Sequence, residues 1–222
     1  MKYRIFGVVM TVVMVLAMAA FSFYSPEETS HRVHQHRTAR GPDAGCDCDG
    51  SELCTHLPLV IIDTGGQEIP GKPTAERDQF GQSIYTSTED GSGVIEVSVS
   101  VIENQGRNNH PSDAPALTTR SQFRIRGNSS RQFDKKPYLL NFVDEDGNNR
   151  DLSVMGMDAH HEWVLNGPYL DKSLVRNYMW YNIAGEIMDY APNVRFCEVI
   201  LDGEYDTMFT KAAPTCKTFC AQ

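Results

Sequence analysis

The stretch Val94-Ile95-Glu96-Val97-Ser98-Val99-Ser100-Val101 sets apolar side chains at 95, 97, 99 and 101 against Glu96, Ser98 and Ser100. A period of two over eight residues is the signature of a strand with one face buried. Working outward, Leu57 to Asp63 is a β-branched run closed by Thr64-Gly65-Gly66, a strand and turn. Phe123 and Ile125 alternate with Arg124 and Arg126 as a third strand, and Tyr138 to Val143 returns as a fourth after Gly127-Asn128-Ser129-Ser130. Trp163 to Leu165 is a short apolar segment ending in Asn166-Gly167-Pro168. Asp171 then has the chemistry to cap a helix. Leu174, Tyr178 and Tyr181 would form one of its stripes, with Val175, Met179, Ile183 and Ile187 beside them, giving a wide buried face before Pro192 ends it. Arg195 to Leu201 is a further strand, and Asp202-Gly203 is a strong hairpin signal. Strands first, then helix and strand, predict an α+β fold with a β-rich N-terminal part.

The chain has 222 residues, with 20 Lys and Arg against 29 Asp and Glu, a net charge of -9. It is long enough for a sizeable core, and nothing in it reads as collagen, coiled coil or wholly disordered chain. Its acidity argues against nucleic acid as a partner.

The apolar residues are unevenly spread. Ile5 to Phe23 (IFGVVMTVVMVLAMAAFSF) contains no charge and follows Lys2 and Arg4. Residues 1–24 therefore read either as a signal peptide, with Ala17-Met18-Ala19 as its cleavage site, or as a membrane anchor if uncleaved. Both readings place the body outside the cytoplasm, secreted or at the cell surface. Without Lys2 and Arg4 that body holds 18 basic groups against 29 acidic ones, a net of -11. Residues 25–56 are polar, with His31, His34 and His36, and fit a stalk that buries too little apolar surface to order itself.

Six cysteines, Cys46, Cys48, Cys54, Cys197, Cys216 and Cys220, are an even number in an oxidising compartment, so disulfides are the default. Cys46-x-Cys48-x5-Cys54-x-His56 could instead supply thiolates and an imidazole to tetrahedral zinc, although the spacing matches no common knuckle.

The chain lacks a nucleophile elbow, H-E-x-x-H and a P-loop. His160-His161-Glu162 reads as a loop feature, and Asn128-Ser129-Ser130 is a glycosylation sequon in form. The densest polar constellation is Arg126 to Tyr138. There a glycine turn would let backbone amides approach an anion, hydroxyls add donors, and Lys135 and Lys136 add charge. Phosphate is its natural ligand. The competing reading is a polar hairpin loop with a solvated lysine pair.

RGNSSRQFDKKPYLL (126–140), LSVMGMDAHHEWVLNGPYLDKSLVRNYMWYNI (152–183) and YAPNVRFCEVILDGEY (190–205), in that order, resemble the spore coat protein H (CotH) kinase family. These are atypical, secreted or surface-associated protein kinases. The resemblance covers roughly residues 57–205 and implies the first half of an atypical protein-kinase-like fold. It also implies ATP with Mg²⁺ as cofactors, and phosphoryl transfer to Ser or Thr of exported proteins. Lys136, Lys135 and Arg126 are the residues it offers as contacts to the nucleotide phosphates. Asp171, Arg176 and Asn177 match a family signature and read as architectural, and Glu198 as a strand-face acid able to pair a lysine.

Residues 206–222 do not resemble the family. A shifted reading frame or an early stop just after Tyr205 would produce such a tail, and the family's metal ligands and adenine-stacking aromatic would lie downstream. No residue is therefore assigned as a catalytic group or as a metal ligand of the kinase-like part. The expectation is an N-terminal portion of a CotH-like kinase, inactive alone. The rivals are a noncatalytic surface or envelope binding protein and a small disulfide- or zinc-stapled secreted module.

Overall fold

The computed structural model describes residues 2–23, 46–205 and 217–221. The histidines at 31, 34 and 36 and the residues just after Tyr205 lie outside the described residues. Helix α1, Lys2–Phe23, takes up the charge-free segment, and its side chains from Ile5 to Ala19 are all exposed. Among the described residues no helix is long and apolar enough to cross a membrane.

The body is built on one large sheet. Its strands are β1 (Leu59–Asp63), β4 (Ile95–Ile102), β5 (Leu117–Ile125), β6 (Tyr138–Val143), β7 (Glu162–Asn166), β8 (Val194–Leu201), β9 (Glu204–Tyr205) and β10 (Lys217–Ala221). Two short strands, β2 (Pro73–Arg77) and β3 (Ser83–Tyr85), pair as a separate hairpin. The large sheet runs β1-β4-β5-β6-β7-β10-β8-β9, and β1 also pairs in parallel with β8, so the ladder closes on itself. Closure leaves an inside and an outside, and the period-two strands divide accordingly. Ile95, Val97, Val99 and Val101 of β4 point inward and are buried, while Glu96 and Ser98 face solvent. Phe123, Ile125, Leu140, Phe142, Trp163, Leu165 and Val199 complete the interior with Val154, Met155 and Met157 from the loop between β6 and β7.

Helix α2 (Arg176–Ile187) lies on the outside, where Tyr178 and Tyr181 meet Val164, Val194 and Leu139. Tyr178 stacks on Phe196 of β8 at 4.7 Å. The expected wide buried face is narrower than its sequence implies. The Tyr178 stripe packs, whereas Val175, Met179 and Ile187 are exposed, as are Trp180, Met188 and Tyr190. Asp171 still serves the helix start, though not as the capping residue. Its carboxylate accepts from the Arg176 amide at 2.9 Å and from Ser173 Oγ at 2.6 Å, and the Ser173 bond holds it below the usual carboxylate range. Asp202 (φ 50°) and Gly203 (φ 78°) make the β8–β9 turn. The Asp202 carboxylate receives bonds from Thr64 N at 2.7 Å and Thr64 Oγ1 at 2.8 Å, tying that turn to the end of β1.

Candidate functional site

The basic segment forms the connection between β5 and β6. Arg126 N donates to Pro137 O at 3.0 Å, extending the β5–β6 ladder by one bond before the chain departs into a 3-10 turn at Ser129–Gln132. Gly127 sits at φ +96°, and a Cβ there would fall 2.1 Å from Ser130 Oγ. The turn thus needs glycine for both its conformation and its packing.

Arg131 is the clamp of this loop. Its guanidinium donates to Gly127 O and, at 3.1 Å, to Gly71 O, and it lies 4.0 Å over the Tyr85 ring. The loop is thereby tied to the chain flanking the β2–β3 hairpin. Burial pushes the Arg131 guanidinium below its ordinary pKa, and the charges of Arg124 and Arg126 push the same way. Three guanidinium groups therefore share this corner of an acidic protein.

The lysine pair divides. Lys135 is buried, with 4% of its surface exposed. Lys136 is half-buried and donates from Nζ to Arg131 O at 2.9 Å, bracing the same loop. Across the ladder, Gly167 packs against this pair: a Cβ on it would lie 2.8 Å from Lys135 O and 3.1 Å from Lys136 O. Phe133 stacks on Tyr169 at 4.8 Å, and Lys172 Nζ lies 5.7 Å from the centre of the Tyr169 ring. The first two family-like motifs therefore meet at this corner.

The third motif contributes Glu198, which is buried on β8 and accepts from Tyr205 Oη at 2.6 Å. Burial pushes its carboxyl above the ordinary range, while the Tyr205 bond and the charges of Lys135 and His56 pull part of the way back. The acid read as a strand-face residue is thus a buried group in the electrostatic reach of Lys135. A carboxyl with a raised pKa in the folded state binds its proton more tightly folded than unfolded, so stability falls as the pH climbs from the ordinary 4.5 through the raised value. Glu198→Gln keeps an acceptor for Tyr205 and removes this titration. Urea midpoints measured from about pH 4 to about pH 8 should therefore decline less steeply in the variant than in the parent, and an unchanged slope would refute the assignment.

The cysteines form a second cluster. Cys46, Cys48, Cys54 and His110 place their ligand atoms within 4.8 Å of one another. His56, the histidine nearest in sequence, is exposed and interacts with Glu198 instead. His110 arrives from the loop between β4 and β5, 64 residues from Cys46, a separation that sequence spacing could not bridge. Cys46, Cys48, Cys54 and Cys197 are all free thiols, and Cys197 lies in the buried core. Hydrogen bonding from His110 pulls the Cys48 thiol down to about 7. The neighbouring Cys48 side chain pushes Cys46 up to about 11.

His160 and His161 are satisfied structurally. Their rings stack at 5.0 Å, His161 Nδ1 lies 2.7 Å from Asp151 Oδ1, and His160 Nδ1 accepts from the Glu162 amide.

Residues 123–212 match the family model described as CotH kinase protein. This is a region similar to that family, beginning inside β5 and taking in the basic loop, Gly167, α2 and β8. The resemblance read from the three motifs holds over this stretch, and a kinase of the family would use ATP and a metal. The match begins later than residue 57 and runs past Tyr205. No curated protein matches the chain.

The residues present fit the two cofactors unequally. The loop between β5 and β6, with a glycine turn, hydroxyls, Arg126, Arg131 and Lys136, has the donors that phosphate oxygens require. Mg²⁺ takes oxygen ligands. Among the described residues, the one group of three or more His, Cys, Asp and Glu side chains close enough to share an ion is the thiolate-rich set at Cys46, which does not suit it.

Proposed function

We propose that this chain is an exported CotH-like protein kinase whose β5–β6 loop contacts nucleotide phosphates. The single observation carrying this reading is the convergence of the family-like motifs at one basic corner, with Gly167 packed under the lysine pair and Tyr169 stacked on Phe133, while Glu198 feels the charge of Lys135. Phosphoryl transfer rests on positioning and charge neutralisation, which a rigid cationic loop supplies. Lys136 and Arg126 are the phosphate contacts in this reading. Lys135, being buried, acts from behind the loop. Substrates would be Ser or Thr side chains of exported or surface proteins, and α1 would serve export.

Among the described residues no cluster of carboxylates is placed to share Mg²⁺. The chain alone should therefore bind nucleotide weakly and transfer little phosphate. Titration with a fluorescent ATP analogue should show saturable binding that Lys136→Met weakens about tenfold, the loss of one charge-assisted contact. Incubation with labelled ATP and Mg²⁺ should leave the chain unlabelled. Robust, Lys136-dependent incorporation would overturn the inactivity. Absence of saturable binding would favour the second reading, a noncatalytic surface or envelope binding protein.

A further inference from the structure

We infer that Cys46, Cys48, Cys54 and His110 are the four ligands of a structural zinc site that fastens the segment entering the domain to the loop between β4 and β5. The donor set is soft thiolate plus imidazole, the combination closed tetrahedral zinc sites use. Zinc–sulfur bonds of about 2.3 Å and a zinc–nitrogen bond of about 2.0 Å set tetrahedral ligand atoms roughly 3.4 to 3.8 Å apart. The four ligand atoms already lie within 4.8 Å of one another, and His110 Nε2 is 3.1 Å from Cys46 Sγ. Small side-chain adjustments complete the tetrahedron.

The surroundings are those of a metal site. His110 presents Nε2 to the sulfurs, and its other nitrogen, Nδ1, lies 3.4 Å from Asp113 Oδ2. That is the carboxylate–histidine relay that orients metal-bound imidazoles. Asp113 is itself held by the His110 amide at 2.9 Å, by Asn104 Nδ2 at 2.7 Å and by Arg107 Nη1 at 3.2 Å. Asn108 Nδ2 donates to Cys54 Sγ at 3.1 Å, an outer bond of the kind that stabilises a thiolate. Thr55 and Asn109 exchange both backbone bonds, at 3.1 and 2.7 Å, holding the two segments in register.

The site answers a need of the fold. Residues 46–54 add nothing to the hydrophobic core, so burial alone does not repay the entropy of ordering them. Three cysteines cannot all pair among themselves, and among the described free thiols the fourth, Cys197, is in the core. Four protein ligands leave no open position for water, so the metal is structural rather than catalytic.

The test is metal analysis of the full chain purified without chelators, with thiols counted after denaturation. The expected result is about one zinc per chain and free thiols at Cys46, Cys48 and Cys54. Replacement by cobalt(II) should give the intense visible absorption of a tetrahedral thiolate site. His110→Ala and Cys48→Ser should lose the metal, and His56→Ala should keep it. Because the first two variants could fail to fold, Asp113→Asn provides a milder check. Its zinc affinity, measured by chelator competition, should fall about 10- to 100-fold while the far-UV circular dichroism is retained. A protein without stoichiometric zinc, a disulfide among the three cysteines, or loss of zinc on His56→Ala would each overturn the assignment.

Discussion

Replacing Trp163 by alanine is expected to destabilise the protein by about 3–5 kcal/mol, the range for a fully buried large aromatic. Trp163 has no exposed surface and stands on β7 opposite Leu140 in the closed sheet, with its ring 6.2 Å from that of Phe142. Two losses combine. The emptied volume lies among β-strands locked into a closed ladder, which cannot collapse onto it without breaking register. Trp163 Nε1 also donates to His160 O at 2.8 Å, and truncation leaves that carbonyl without this donor. A domain of ordinary stability has only about 5–15 kcal/mol in hand, so the variant should unfold at far lower urea or fail to accumulate. Trp163→Phe keeps most of the ring volume and should fall between parent and alanine. Circular dichroism is the appropriate readout, because tryptophan fluorescence would be confounded by Trp180, which is exposed. A midpoint within error of the parent's for Trp163→Ala would mean that β7 is not part of the core.

The strands that were legible in the sequence are those whose two faces differ. In β4 the alternation of Ile95, Val97, Val99 and Val101 with polar residues is the closed sheet's inside and outside written out in order. β6 and β8 were legible as apolar runs, and the β8–β9 turn as Asp202-Gly203, because left-handed backbone has few favourable residues. β2 and β3 carry no such contrast. None of their residues is fully buried, and their pairing is irregular between Pro73 and Arg77, so no periodicity marks them. Helix α2 misled for a related reason. Met179 and Ile187, with Val175 just before the helix, match an amphipathic template, yet these are exposed while the neighbouring Tyr178 and Tyr181 are packed. A pattern reports which residues favour burial and not whether a partner surface is there.

The two polar clusters differ in the same sense. The β5–β6 loop could be found from sequence because its glycine, hydroxyls and lysines are contiguous from Gly127 to Lys136. The burial of Lys135 and its electrostatic influence on Glu198 could not, since they join the β5–β6 connection to Gly167 after β7 and to β8, segments far apart in sequence. The cysteines were visible as a cluster, but the nearest histidine was the wrong one. Thr55 is drawn inward by its backbone pairing with Asn109, which turns His56 outward and brings His110 to the sulfurs.

Gly167→Ala is expected to cost about 1–3 kcal/mol and to loosen the basic loop, although it adds one methyl group. The β6–β7 ladder pairs Tyr138 with Leu165, and continuing that register by two residues brings Gly167 opposite Lys136. The strands approach so closely there that a Cβ would sit 2.8 Å from Lys135 O, 2.9 Å from Lys135 Cγ and 3.1 Å from Lys136 O. Two of these atoms are backbone carbonyl oxygens, which cannot rotate aside as a side-chain end would. Relief requires the Lys135-Lys136 backbone to move away from β7, and that movement strains the bond from Lys136 Nζ to Arg131 O. A stability change and a binding change should therefore travel together: a lowered urea midpoint, and weaker binding of a fluorescent ATP analogue in the same preparation. Gly93→Ala is the control. Gly93 has nothing within 4 Å of its would-be Cβ, so both quantities should stay close to the parent's. If Gly167→Ala lowered the midpoint but left nucleotide affinity unchanged, the lysine pair would be tolerant of its backbone, and the phosphate contacts would have to come from Arg126 and the Gly127 turn alone.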